Sequence, residues 1–413
     1  MKRSILTLSI AALALSAWAV VKPGIEVLRE SGFKGLEGKR VGLITNPTGV
    51  DNNLKSTVDI LAEAPEVTLT ALFAPEHGVR GDVHAGDHVE NMVDPATGVP
   101  VYSIFGKSRK PSPEMLKDVD VLLYDIQDNG CRSFTFISTM GLAMEACAEQ
   151  GKEFMVLDRP NPVGGNKIEG NLTEDDCISF VSQFAIPYLY GLTPGELAQY
   201  LNAENLVNGE NGEKVNLTVV PMEGYDRNMS FAETGMPWVL PSPHMPTPES
   251  TLYYPVSGIL GELYYMSIGV GYTLPFKLFC ADWINAEELS KNLNALDLPG
   301  LKFRPIHIKP FYSTGKGENL QGVEVYITDK NVAPLSLTQF YVMQELARLY
   351  PDKAIFKEGN ADPKRFRMFD QVCGSKEIRE RFAKNHNVAD IKEYWDKDAE
   401  AFRAKSQPYH LYK

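Results

Sequence analysis

Between residues 40 and 157 the chain alternates β-rich apolar runs with stretches of helical spacing, and nothing else in it constrains the fold as strongly. Arg40–Thr45 reads RVGLIT and ends at the turn Asn46-Pro47-Thr48-Gly49. Residues 67–73 (VTLTALF) stop short of Pro75, and residues 119–126 (VDVLLYDI) form a third run. Glu153–Leu157 (EFMVL) closes on Asp158-Arg159-Pro160. Between these runs, residues 54–61 and 138–149 carry apolar side chains at helical spacing, with Met140, Ala143, Met144 and Cys147 in the second. Short apolar strands separated by helices pair in parallel and build a doubly wound sheet. The expected class is therefore α/β, with a Rossmann-like N-terminal domain.

The second half is less regular. Residues 237–255 hold Pro237, Pro241, Pro243, Pro246, Pro248 and Pro255. That density argues against a helix and against a central strand, and leaves a long ordered loop or a domain junction. Residues 337–350 and 391–403 read as amphipathic helices. A chain of 413 residues has room for two or three domains. The boundary is expected between residues 160 and 180 and is taken at 165/166, so residues 20–165 form the first domain and 166–413 a C-terminal α+β domain.

Residues 1–19 read as a leader. Met1-Lys2-Arg3 is cationic, residues 5–15 are apolar, and Ala17-Trp18-Ala19 fits the small-x-small cleavage rule of a secretory signal peptide. The apolar run falls short of the ~20 residues that span a bilayer. The expectation is a secreted protein, periplasmic or extracellular, with no membrane association after cleavage. The net charge of −12 gives no electrostatic footprint for a phosphate backbone, so nucleic acid is not expected as a partner. The five cysteines include no C-x-x-C pair, which argues against a zinc knuckle and a thioredoxin-type site.

In an open parallel sheet, ligands bind outside the carboxyl ends of the strands. Those ends carry Asn46; Glu76, His77 and Arg80; Asp125, Gln127, Asp128 and Arg132; and Asp158, Arg159 and Asn161. Asp and Asn are ordinary turn residues, but Glu76, Arg80, Arg132 and Arg159 are not usual turn formers. The G-x-G-x-x-G fingerprint and the P-loop are absent, so no nucleotide cofactor is expected. The serine-hydrolase elbow G-x-S-x-G is missing too. Two chemistries fit. In the first, Glu76 protonates a leaving oxygen, with Asp125 or Asp128 as a second carboxylate, as glycosidic cleavage requires. In the second, a metal-dependent periplasmic hydrolase uses Glu76, His77, Asp82, His84, Asp87 and His88. Gly86 lies between His84 and His88, and H-E-x-x-H is absent. The first reading is preferred, with no metal and no cofactor.

Ala74-Pro75-Glu76-His77-Gly78-Val79-Arg80-Gly81 resembles the P-E-H-G-[FV]-R-G signature of the exo-β-N-acetylmuramidase family. Leu43-Ile44-Thr45-Asn46-Pro47 resembles that family's first strand and turn. Asp125-Ile126-Gln127-Asp128 with Gly130 and Arg132 resembles its D-I-Q-D-x-G-x-R motif. Asp158-Arg159-Pro160-Asn161-Pro162 and Pro241-Ser242-Pro243 with Met245-Pro246-Thr247 resemble two further segments, all in order along the mature chain. The resemblance implies a cleft between the two domains and release of terminal N-acetylmuramic acid from non-reducing ends of peptidoglycan fragments. It places the essential glutamate on Glu76, with His77 orienting it. It also implies that Arg80, Arg132 or Arg159 meets the substrate's lactyl carboxylate. The partners implied are muropeptides or disaccharides that contain N-acetylmuramic acid.

The chain departs from that pattern in the binding half. His244 replaces an Asn of the family. In the segment that starts at Glu262, the family's Asn, Arg and Thr have become Tyr265, Val270 and Tyr272. Asn46, Gln127, Asp158, Asn161, His244 and Glu262 are expected to bind substrate. The departures keep an altered sugar specificity, or a binding-only role, as the alternative.

Overall fold

In the computed structural model, residues 20–81, 90–106 and 108–413 are described. The leader lies outside them, as do Asp82, His84, Asp87 and His88. The larger unit is a seven-stranded sheet of β1 (Arg40–Thr45), β2 (Thr68–Ala74), β3 (Met92–Val93), β4 (Pro100–Ser103), β5 (Val121–Asp125), β6 (Glu153–Leu157) and β7 (Asn216–Val220). The spatial order is β3-β4-β2-β1-β5-β6-β7. All pairings are parallel except that of β3 with β4 at the edge.

Burial on both faces explains the apolar runs. Val41, Leu43, Val121, Leu123, Met155 and Leu157 face helices Gly24–Glu30 and Thr57–Glu63. Ile44, Phe73, Leu122, Tyr124, Phe154 and Val156 face helices Phe136–Glu149 and Pro194–Ala203. The last helix starts with a capping box: Thr193 accepts from Glu196 N at 3.2 Å, and Glu196 accepts from Thr193 N at 3.0 Å. Its packing partner β7 lies well beyond residue 165, so the sheet continues past the boundary read from sequence.

The second sheet has three antiparallel strands, β8 (Leu278–Ala281), β9 (Leu301–Ile308) and β10 (Leu320–Ile327), in the order β8-β10-β9. Its core joins the first unit, because Cys131, Val163, Tyr188 and Leu189 sit in one apolar cluster with Val256, Phe279, Phe340 and Trp395. Two expectations change here. Ser250–Gly261 is a helix despite Pro255. Gln339 braces that helix from outside: its amide donates to Pro255 O at 3.0 Å and accepts from Leu260 N at 2.9 Å. The helix read at 391–403 is two helices, Ala389–Asp396 and Ala399–Ser406.

The chain leaves β1 toward β2 on one side, and β5 lies on the other. The sheet's switch point therefore falls between β1 and β5, with Asn46 and Asp125–Asp128 at its carboxyl edge.

Candidate active site

Glu76 follows β2 in a turn closed by Gly78 N donating to Pro75 O at 3.0 Å. His77 holds a positive φ of 72°, a conformation costly for a residue with a side chain and concentrated at functional sites. Gly81 lies against the β1 turn; a Cβ there would stand 2.5 Å from Pro47 Cγ. Glu76 is half-buried and accepts from Thr135 Oγ1 at 3.0 Å. Thr135 is the N-cap of helix Phe136–Glu149, so a carboxylate stands at the positive end of a helix.

Beside this turn, residues 254–276 and 313–314 enclose a cavity of about 250 Å³, with His244 completing its wall. Tyr254, in its wall, lies within electrostatic reach of Glu76. Its ring meets Phe134 edge-on at 5.7 Å, and its hydroxyl lies 3.2 Å from Ser133 Oγ. Burial pushes its phenol well above 10, and the carboxylates of Glu262 and Glu76 add to that push. Glu262 lines the cavity. Burial raises its carboxyl, and the Arg365 guanidinium pulls it partly back. Arg365 donates to Glu262 O at 2.7 Å and lies over the Tyr264 ring at 4.4 Å.

His244 and Glu262 thus line one cavity, and Glu76 lies near enough for its charge to act on the wall residue Tyr254. Most of the other expected residues are sealed in the interior. Asp125 is 1% exposed, pairs with Arg159 through Nε at 2.5 Å and Nη2 at 3.0 Å, and accepts from Thr57 Oγ1. Both partners are used up as a strut between β5 and β6, and Asp125 does not face the cleft. Arg132 is fully buried, with no carboxylate partner among the described residues. It donates to Ser182 Oγ, Asn171 O, Ile186 O and Val372 O, and burial lowers it to about 10. It is a tie between the two units and not a ligand for substrate. Asp158 accepts from Thr193, Gly195 N and Tyr412, and Asn161 bonds Leu192 O and Val163 N. Both fix chain turns. Arg80 clamps Asp94 with Nε and Nη2 at 2.9–3.1 Å and keeps solvent-exposed surface.

At the switch point, burial raises Asp128 to about 6, and Tyr190 and Gly130 N donate to its Oδ2. Asp128 Oδ1, Gln127 Oε1, Asn46 Nδ2 and Asn129 Nδ2 are buried without hydrogen-bond partners among the described residues. Of the departures, Val270 lines the cavity. Tyr265 turns away to Lys353 O at 3.0 Å, and Tyr272 stacks on Phe311. Thr135, Tyr254, Tyr264 and Arg365 were not singled out from sequence. Tyr254 lies in the segment read as proline-rich, and Arg365 is far along the chain from Glu262.

A carboxylate at a helix N-terminus, beside a cavity the size of one sugar ring and a second carboxylate, is the equipment of a glycoside hydrolase, and the chain is an enzyme of that class. The family models for the exo-beta-N-acetylmuramidase NamZ N-terminal and C-terminal domains match residues 41–249 and 252–412. The chain belongs to that family. It is 45% identical over 392 residues to the peptidoglycan beta-N-acetylmuramidase NamZ of Bacillus subtilis (strain 168), covering 95% of this chain and 91% of that protein. A crystal structure of a DUF1343 family protein from Bacteroides fragilis NCTC 9343 superposes with a TM-score of 0.91 at 64% identity, covering 95% of this chain and 99% of the other. A second such protein from the same organism gives 0.73 at 27% identity, with the same coverage of both chains.

Proposed function

We propose that this enzyme is an exo-acting β-N-acetylmuramidase that releases terminal N-acetylmuramic acid from the non-reducing ends of peptidoglycan fragments. The observation that carries the reading is Glu76, half-buried on a strained turn at a helix N-terminus, with its charge acting on the cavity-wall residue Tyr254. Glu76 is the general acid: its proton goes to the glycosidic oxygen as the bond from C1 breaks. The oxygen of water then bonds C1, and one water proton restores the acid. His77 holds the turn that aims Glu76, while Asn46, Gln127 and Asp128, at the switch point of the same sheet, bind or polarise the sugar and the attacking group. Arg80, which alone of the three arginines keeps an exposed face, is the residue proposed for the lactyl carboxylate. The substrates are muropeptides or disaccharides that carry N-acetylmuramic acid. The leader sequence supports export, and cell fractionation tests it.

Purified protein is assayed with a chromogenic β-N-acetylmuraminide beside the matching β-N-acetylglucosaminide, with chelator present. Turnover of the muraminide alone is expected. Glu76→Gln is expected to keep the unfolding midpoint and to lose at least a hundredfold in kcat, within the range of general-acid contributions. An active Gln variant refutes the assignment of Glu76. Val270, standing in the cavity wall where the family has an arginine, favours altered specificity as the second reading; turnover of the glucosaminide would select it.

A further inference from the structure

The apolar surface of the described residues is unevenly placed. Four aromatic side chains stand exposed: Tyr264 at 60%, Phe311 at 68%, Tyr312 at 48% and Tyr326 at 40%. Three of them adjoin the cavity that holds Glu262. Tyr264 lines it, and Phe311 and Tyr312 lead directly into its wall residues Ser313 and Thr314. Exposed rings clustered at a pocket are a mark of recognition, whereas scattered ones need no explanation.

These rings are held in place. Phe311 N donates to Gly271 O at 2.7 Å, and Tyr272 stacks on the Phe311 ring at 5.9 Å and 21°. Gly271 has a φ of 89°, and a Cβ there would lie 1.9 Å from Tyr312 O, so only glycine allows the two loops to meet. Tyr312 stacks on His244 at 5.9 Å and bonds its Nε2. Tyr264 is covered on one side by the Arg365 guanidinium. A platform ordered before its ligand arrives loses little entropy on binding.

The cavity, at about 250 Å³, is below the roughly 300–1,000 Å³ that houses a drug-sized ligand, which leaves room for one ring. An exo-acting glycosidase buries the terminal sugar, so the next ring must leave through the mouth. A pyranose presents an apolar C–H face that matches an aromatic ring, with hydroxyls at its edge. We propose that Phe311, with Tyr312 and Tyr264, forms the platform for the saccharide on the leaving-group side of the scissile bond. The enzyme therefore selects a sugar, and not merely any group, after the terminal muramic acid. This rests on the muramidase reading above.

The test compares N-acetylmuramyl-β-1,4-N-acetylglucosamine with methyl β-N-acetylmuraminide, which lacks a second ring, and follows the ratio of their kcat/KM values. Phe311→Ala is expected to lower that ratio about five- to tenfold, within the worth of one aromatic stacking contact, and Phe311→Tyr to restore it. An unchanged ratio overturns the platform while leaving the muramidase reading intact. Should the parent enzyme cleave neither compound, the muramidase reading fails, and calorimetric titration with the disaccharide decides the platform alone. A five- to tenfold loss of affinity in Phe311→Ala supports it, and equal affinity overturns it. Sedimentation that shows a dimer broken by Phe311→Ala would assign the rings to a second copy of this chain and also overturn it.

Discussion

Asp158 offers a measurable link between burial and pH. It sits at the end of β6 and accepts from Arg159 N at 3.0 Å, Thr193 Oγ1 at 2.7 Å, Gly195 N at 2.7 Å and Tyr412 Oη at 2.6 Å. Burial outweighs these four bonds and raises the carboxyl from 3.8 to about 7. Between about pH 4 and pH 7 the folded protein holds a proton that the unfolded chain has released. The resulting stability is present at acid pH and is lost as pH rises through about 7. Three units at 1.36 kcal/mol each set a ceiling of about 4 kcal/mol, and the loss from pH 5 to pH 8 is roughly 2–3 kcal/mol. Asp158→Asn imitates the protonated acid, with one acceptor oxygen and an N–H donor that the Thr193 and Tyr412 hydroxyls rotate to receive. Urea unfolding at pH 5, 6, 7 and 8, followed by tryptophan fluorescence, compares the two proteins. The parent is expected to lose about 2–3 kcal/mol more than the variant across that span. Parallel curves would mean that Asp158 is ionised in the fold at an ordinary pKa, and would refute the reasoning.

Three other outcomes follow from the site. Asp125→Asn leaves Arg159 buried and unpaired, so it should cost about 3–5 kcal/mol in stability while the folded fraction keeps turnover; a stable but inactive variant, seen by calorimetry and assay together, would make Asp125 catalytic after all. Arg132→Ala strips the donors from Asn171 O, Ile186 O and Val372 O and should destabilise by a similar ~3–5 kcal/mol; a midpoint shift worth less than about 1 kcal/mol would contradict its role as a tie. Thr135→Val removes the hydroxyl that Glu76 accepts and should lower kcat/KM by about 10- to 100-fold with little change in melting temperature, since hydrogen bonds to charged groups are worth about 1.5–3 kcal/mol. An unchanged kcat/KM would detach Thr135 from the chemistry.

The strands of the first half were legible because their determinants are local. Arg40–Thr45 and Glu153–Leu157 are apolar, β-rich and closed by turn residues, and they form strands at those bounds. Pro255 misled for the opposite reason. The helix around it is braced by the Gln339 amide, 84 positions further along the chain, which donates to the Pro255 carbonyl. The strand ends show the same division. Sequence places Asp125, Arg132, Asp158 and Arg159 at the carboxyl edge but does not display exposure. All four are sealed, and two of their partners, Val372 and Tyr412, come from far along the chain. Glu76 differs from these in being only half-buried, and the turn that holds it is built from its immediate neighbours. The edge strand β7 (NLTVV) was not singled out because it is only partly buried and lacks a continuous apolar run.

The ties across the two units bear on how such a protein is inherited. Asp158 to Tyr412, Arg132 to Val372 and Glu174 to Ser375 join partners 254, 240 and 201 positions apart. Each gives a polar group in the first half of the chain a hydrogen-bond partner near the other end of it. A recombination event that swapped either half for an unrelated one would remove that partner from each of them. The two halves are therefore expected to travel through evolution as a pair, and chimeras between relatives should fold only where both ends of each tie come from the same parent.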